Sequence, residues 1–456
     1  MAALPDTTPA PIASTTLYLG DALAGLRRLA DQSVHMVVTS PPYFGLRDYG
    51  TGQWAGGDPD CPHRVRTAQA VAKSQASSTL LSTSRETVGH TQEGYARVCG
   101  RCGAVRVDQQ IGLEETVDEY IHRLLDVFRE VWRVLRNDGT LWLNIGDSYA
   151  GSGKGPHGPN GAVKHERNQG FHSPGQRTYG YKAKDLMMIP ARLALALQAD
   201  GWYIRSEIIW HKVAPMPESV TDRPTSAHEK VYLLTKANRY YYDAEAVREQ
   251  PADYERQGGT APYTANGSAT HGIGSRSMHQ MNPPSANLRN VWSLSPDPYP
   301  QAHYATFPRE LPRRCILAGT SARGVCPHCG KPWARVTETT RTFESGSGKS
   351  GRLPVGKNGL RLQGGGETLD IRRGPTVHTT TTGWQQTCRC PAHDPIPAVV
   401  LDPFMGSGRT ALVANSLGRH AVGCELNPAN IELARQQVTA GLGLLARIDV
   451  IDVREA

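Results

Sequence analysis

Two short stretches far apart in the chain, Thr39-Ser-Pro-Pro-Tyr43 and Asp402-Pro-Phe-Met-Gly-Ser-Gly-Arg-Thr410, hold the residue types best suited to chemistry on a bound ligand. In the first, Pro41 and Pro42 fix φ and lack an N–H donor, so the loop offers a rigid rim of carbonyl acceptors. The Ser40 hydroxyl stands beside that rim, and Tyr43 adds an aromatic face. Such a set suits methylation of an aromatic amine. The amine lone pair is delocalised into its ring and is a poor nucleophile. Acceptors bonded to its two hydrogens favour rehybridisation and stabilise charge as it attacks a methyl sulfonium. Tyr43 would stack on the ring and hold it in line; loss of such stacking costs roughly 1–3 kcal/mol. The plainer alternative is a proline-rich loop between a strand and a helix, with Tyr43 in the core.

In the second stretch, Gly406 and Gly408 let the backbone turn tightly and let a ligand approach the main chain. Asp402 closes a strand, the place where ligands bind in doubly wound sheets, and Thr410 opens the helix that follows. The next strand ends in Cys424-Glu425, where an acidic side chain can hold both ribose hydroxyls of a nucleoside. No phosphate-binding loop ending in Gly-Lys-Ser/Thr accompanies the set, so a nucleoside cofactor without a triphosphate fits best.

The nine cysteines are grouped. Cys61 and His63, with the pair Cys99 and Cys102, bracket one irregular stretch; Cys326 and Cys329, with Cys388 and Cys390, bracket another. In a reducing compartment such pairs read as metal ligands before disulfides. Each set offers four ligands, which suits a tetrahedral structural zinc and leaves no open catalytic position, so two zinc ions are expected. Free thiols at loop bases are the alternative, and His393 is a substitute ligand for Cys388 or Cys390. Cys315 and Cys424 sit among apolar neighbours and read as core.

The elements that must position these groups alternate regularly. LYLGD reads as a strand, ALAGLRRLA as a helix and SVHMVVTS as a buried strand running into Pro41. A long helix follows Glu114, with Tyr120, Leu124, Val127, Val131 and Leu135 at helical spacing and a stop at Asn137 to Gly139. TLWLNIGD is a core strand; MMIPARLALALQADG a helix; WYIRSEIIWHK and EKVYLLTK strands; ATFPRELPRRCILAG a helix. The chain then gives strand VVLDPF, the glycine loop, helix RTALVANSLG, strand HAVGCEL and helix NPANIELARQQV. Strands alternating with helices, several of them almost wholly apolar, imply a doubly wound, mostly parallel sheet.

The chain has 456 residues, ample for a sizeable core, and no apolar run long enough to span a bilayer. Residues Met1 to Ala13 show neither a basic nor an apolar leader region, so a cytoplasmic protein is expected. A formal charge of +8 favours an anionic partner such as nucleic acid.

Together the two loops resemble the amino-methyltransferase family of DNA-modifying enzymes, across roughly Leu17–Tyr43, Glu114–Tyr242 and Tyr304–Gln436. TSPPY precedes DPFMGSG, an order similar to that of the family's permuted beta class. The resemblance implies an α/β Rossmann-like methyltransferase fold, doubly wound and permuted, with a small recognition region, to which the cysteine sets add two zinc-bearing insertions. It implies S-adenosylmethionine held by Phe404, Gly406, Gly408 and Glu425, with Asp402 and Thr410 framing the loop and Asp21, after Gly20, near the adenine. Ser40, Pro41, Pro42 and Tyr43 match the catalytic motif. Family members usually carry GSGTT where this chain has GSGRT, which puts the effect of Arg409 in question. SPPY resembles the form frequent in cytosine-N4 enzymes, whereas DPPY is frequent in adenine-N6 enzymes.

The expected organisation is a catalytic half over 15–57 and 106–243, a first cysteine-bearing insertion at 58–105 and a target-recognition region at 244–300. A cofactor-binding half spans 301–325 and 394–456, interrupted by a second cysteine-bearing insertion at 326–393. The expected partner is double-stranded DNA with the target base flipped out, since the amine is otherwise inaccessible; a cognate restriction endonuclease is a further candidate. Lys154, Lys164, His165 and Arg167 are candidate DNA contacts, and Trp210, His211 and Lys212 end a strand near the expected cleft. No Pro-Cys pair, expected of a carbon-5 methyltransferase nucleophile, occurs. The rivals are methylation of adenine N6, of RNA or of a protein glutamine, and a zinc-stabilised DNA-binding protein with a vestigial cofactor site.

Overall fold

The computed structural model describes residues 13–45, 51–61, 99, 101–151, 179–215, 217–218, 220–249, 286–295, 297, 307–342, 376–443 and 446–454. His63, Lys154, Lys164, His165 and Arg167 lie outside the described residues.

The apolar runs form the central strands. β1 (Thr15–Leu19), β2 (Val34–Thr39), β5 (Leu135–Ile145), β6 (Tyr203–Lys212), β7 (His228–Thr235), β8 (Val291–Leu294), β11 (Val399–Asp402), β12 (His420–Glu425) and β13 (Ile448–Asp452) make one nine-stranded sheet. Its order is β13-β1-β12-β11-β2-β5-β7-β6-β8. All neighbours pair in parallel except β7, which runs antiparallel to both β5 and β6. The mostly parallel sheet is therefore present, with one reversed strand. Two short ribbons stand apart: β3 (Gln53–Ala55) with β4 (Val105–Val107), and β9 (Ala334–Thr342) with β10 (Thr376–Gln385).

Alternate residues of the buried strands feed two cores. Val37 packs with α1 (Ala22–Leu26), α2 (Val117–Val134) and α3 (Ile189–Ala199), whereas Met36 and Val38 pack with α4 (Glu310–Gly319), α5 (Arg409–Ser416) and α6 (Pro428–Leu442). This period-two division is why both faces of the sheet are covered. α2 is held at its start by a capping box between Thr116 and Glu119, and it buries Tyr120, Leu124, Val127 and Val131. Its end departs from the expected stop at Asn137–Gly139. The helix finishes at Val134, and β5 starts at once, with a register shift between Val34 and Met36 as Arg136–Gly139 bulge out of the pairing. Burial of Leu135 against β2 overrides the local turn signal. The helix expected over ALAGLRRLA is likewise shorter, closing at Leu26.

Three features fix where a site can form. The chain leaves β11 toward β12 through α5 and leaves β2 toward β5 through α2, in opposite directions and over opposite faces. β2 and β11 are neighbours, so a crevice must open beyond their carboxyl ends. The carboxyl ends of β5, β6, β8, β12 and β1 and the amino end of β7 lie along the same edge, as the pairing directions require.

Candidate active site

At that edge the two sequence-marked loops are tied together by one side chain. Thr39, the last residue of β2, donates its hydroxyl to Asp402 Oδ1 at 2.6 Å. The Phe404 N–H donates to the same oxygen at 3.0 Å, and the Thr410 hydroxyl donates to Oδ2 at 2.7 Å. Asp402 is 1% exposed, and burial pushes its carboxyl up to about 6. Both oxygens are thus engaged within the protein. Asp402 and Thr410 frame the glycine loop from beneath it.

Above them the loop is shaped for close approach. Gly406 has φ +52°, and a Cβ there would meet nothing nearer than the Phe404 carbonyl at 4.0 Å. Gly408 has φ +82°, and its missing Cβ would lie 2.6 Å from that of Ala434 on α6. The Gly406 N–H donates to Glu425 Oε2 at 2.9 Å. Glu425 Oε1 accepts from the Asn427 N–H at 2.8 Å and the Asn430 amide at 3.1 Å; burial raises its carboxyl above the usual range. Asp21 follows β1, and its carboxylate caps α1 by accepting the Leu23 N–H at 2.9 Å. Arg409, the departure from the family pattern, is 6% exposed and ion-paired with Asp297 beyond β8, which also accepts the Arg309 N–H at 2.9 Å. It holds Asp297 against the start of α5.

Tyr43 is half-buried, with its ring edge against Gly146, where an added Cβ would lie 2.6 Å from the ring. Its hydroxyl donates to Glu229 Oε2 at 2.6 Å, lies 3.2 Å from Asn144 Oδ1 and accepts from Ser40 Oγ at 3.3 Å. Lys212 Nζ donates to Glu229 Oε1 at 2.5 Å, and the Asn144 amide donates to Oε2 at 3.1 Å. Burial first, and then the Glu229 charge, push the Tyr43 phenol well above its ordinary value, so it stays protonated. The loop's acceptor rim is narrower than expected, because the Tyr120 hydroxyl donates to the Pro42 carbonyl at 2.8 Å.

The fold therefore brings Asp21, Ser40, Pro41, Pro42, Tyr43, Asp402, Phe404, Gly406, Gly408, Thr410 and Glu425 to one edge. Glu229 and Asn144 join the site without being among the residues expected there. A polar residue inside apolar TLWLNIGD was a legible signal for Asn144, which is 2% exposed. Glu229 gave none: it lies 186 residues from Tyr43 and meets it because β7 is reversed.

The DNA methylase family model of the N6/N4 class matches residues 34–327 and 395–436, more than half of the chain. The chain belongs to this family. Curated members resemble it over most of their length. Type II methyltransferase M.XycI of Xanthomonas campestris pv. cyanopsidis is 33% identical over 430 residues, covering 94% of this chain and 89% of that protein. M.SmaI of Serratia marcescens is 30% identical, covering 93% and 91%. M.Cfr9I of Citrobacter freundii is 38% identical over 312 residues, covering 68% and 75%. This N6/N4 DNA methylase is a DNA methyltransferase, and among its described residues no helix is long and apolar enough to cross a membrane.

Among the described residues the cysteines gather into two groups, one of four and one of three. Cys326, Cys329, Cys388 and Cys390 form one group and Cys61, Cys99 and Cys102 another, with the sulfurs of each group within 4.8 Å of one another. Cys315 and Cys424 are buried in the two cores. Trp210 is core, Lys212 pairs with Glu229, and His211 Nδ1 lies 3.1 Å from Ser293 Oγ.

Proposed function

We propose that this methyltransferase transfers a methyl group from S-adenosylmethionine to the N4 amine of a cytosine flipped out of duplex DNA. The Thr39–Asp402 bond carries the reading, because it holds the candidate base loop and the candidate cofactor loop side by side at the switch point of the sheet. S-adenosylmethionine supplies an electrophilic methyl sulfonium when bound. The residues present fit it: Gly406 leaves open space where a side chain would stand, and Glu425 offers a carboxylate for ribose hydroxyls at the end of β12. Asp21 follows the neighbouring strand β1, in reach of the adenine by family likeness, while Asp402 and Thr410 keep the loop in shape.

On the base side, Ser40 Oγ and the Pro41 carbonyl accept the amine hydrogens and draw electron density toward the nitrogen. Tyr43 stacks on the base, its position set by the hydroxyl bond to Glu229. No covalent enzyme intermediate is needed, and proton loss follows transfer. Cytosine N4 is favoured over adenine N6 because Ser40 is a neutral group where the adenine form carries an aspartate. Connections that leave the same edge, after β5, between β6 and β7 and after β8, grip the duplex. The region proposed to read the target, 244–300, is rooted at the outer edge of the sheet, where Glu249 and Ala286 pair just before β8. Relatives named Type II methyltransferases support a role in restriction-modification, with a cognate endonuclease as partner. Zinc enters as a structural ion, held by the cysteine groups.

The test is labelled methyl transfer to DNA, RNA and protein, followed by nucleoside mass spectrometry. N4-methylcytosine in DNA is the expected product; N6-methyladenine would correct the base, and label only in RNA or protein would overturn the assignment. Calorimetry with S-adenosylmethionine separates a working site from a vestigial one.

A further inference from the structure

We propose that Cys326, Cys329, Cys388 and Cys390 hold one zinc ion as four thiolates, and that this ion pins the base of the β9–β10 hairpin to the amino ends of β2, β5 and β11. This deepens the structural-zinc part of the function proposed above and is independent of the methyl acceptor.

The four sulfurs lie within 4.8 Å of one another. A tetrahedron of thiolates about 2.3 Å from zinc has edges of about 3.8 Å, so a small contraction closes the site. The first pair sits on a tight turn. The Cys326 N–H donates to the Lys331 carbonyl at 2.9 Å and the Gly330 N–H to the Cys326 carbonyl at 2.8 Å, which aims both sulfurs to one side. The second pair is folded around Gln386, whose amide donates to the carbonyls of Cys388 at 3.2 Å and Cys390 at 2.7 Å. The two pairs come from opposite ends of a long excursion, 326–393, that buries little apolar surface among its described residues. A polar segment of that kind needs a bound ion to fix its base.

What the turn rests on gives the site its mechanical role. Arg136, at the start of β5, donates to the Cys329 carbonyl at 2.8 Å. His35, on β2, lies 3.1 Å from the Gly330 carbonyl through Nε2 and accepts the β11 N–H of Val399 at Nδ1, 3.0 Å away. Gly330 has φ +69°, where a side chain would be strained, and a Cβ there would stand 2.4 Å from the end of the Arg136 guanidinium that the seat uses. His35 is five residues from Ser40, about 17 Å along an extended strand, so the ion would sit at the end of the sheet away from the reacting groups. A second tether, the Arg335–Asp243 ion pair at 2.8 Å, holds the hairpin stem but not the cysteine turns.

The experiment uses the full chain. Zinc is counted by elemental mass spectrometry in the native protein, in the Cys329→Ser/Cys390→Ser double variant and in Cys102→Ser, which leaves the four-cysteine group intact. The double variant should hold one ion fewer than the native protein; an equal count, or a native protein without zinc, overturns the site. Should the double variant fail to fold, Cys102→Ser grown with cobalt should show the visible bands of a tetrathiolate ion, and their absence has the same consequence. Stripping zinc from Cys102→Ser should speed hydrogen exchange about tenfold in 326–333 and 386–393 and leave β2 unchanged. Equal exchange in those segments would overturn the pinning role. A zinc-loaded chain that transfers no methyl to cytosine N4 would sink the proposed function and leave this one standing.

Discussion

Asp402 holds two loops together with a carboxyl group whose titration burial raises toward neutral pH, and this has a measurable consequence. Its carboxyl is pushed from an ordinary 3.8 up to about 6. A folded value above the unfolded one means that the contribution is fully present below about pH 4 and lost as pH rises through about 6. Asp402→Asn keeps the shape and removes the titration. The native protein should therefore lose on the order of 3 kcal/mol relative to Asp402→Asn between pH 4 and pH 7 in denaturant unfolding. A gap that stays flat across that window would show that the group is not held as described. Tyr43 offers a second test at this scale. Tyr43→Phe keeps the ring and loses the bond to Glu229, a charged partner worth roughly 1.5–3 kcal/mol, so kcat should fall about ten- to a hundred-fold. Tyr43→Ala also removes the stacking face and should cost about tenfold more. Equal losses in the two variants would rule out stacking.

Elements show where local sequence succeeds and where it is overruled. The strand–glycine loop–helix unit around Asp402 was legible because each part obeys a local rule: an apolar run, glycines at the turn, then helix formers. Gly408 is required twice over, by its positive φ and by Ala434 against it. Gly408→Ala should lower stability by at least about 2 kcal/mol, from backbone strain of roughly 1–2 kcal/mol plus separation of α5 from α6, and should weaken S-adenosylmethionine binding in calorimetry. An unaltered melting curve would mean that α6 does not press on the loop. The end of α2 departs from the expected stop because the signal at Asn137–Gly139 is real as a turn but lies inside β5, where pairing with β2 dictates the path. β8, β9, β10 and β13 went unread because each is an edge or ribbon strand whose pairing partner, more than its composition, makes it a strand.

For the whole molecule, the sheet lines up several carboxyl ends and so gives the +8 chain a single working edge. If duplex DNA is gripped there by phosphate contacts, the logarithm of affinity should fall linearly with the logarithm of salt concentration. With six contacts the loss is about a thousandfold between 50 and 200 mM salt. A slope near zero would exclude an electrostatic grip.

The amino-acid sequence by itself determined the doubly wound class, the two loops at strand ends and the grouping of the cysteines. Each depends on spacing along the chain, which hydrophobic period, turn residues and ligand chemistry report directly. Only the tertiary structure decided that Asp402 turns inward to Thr39, that Tyr120 takes the Pro42 carbonyl, and that Glu229 and Lys212 anchor Tyr43. These are contacts between strands and helices distant in sequence. Their partners are chosen by strand order and direction, which no local pattern encodes.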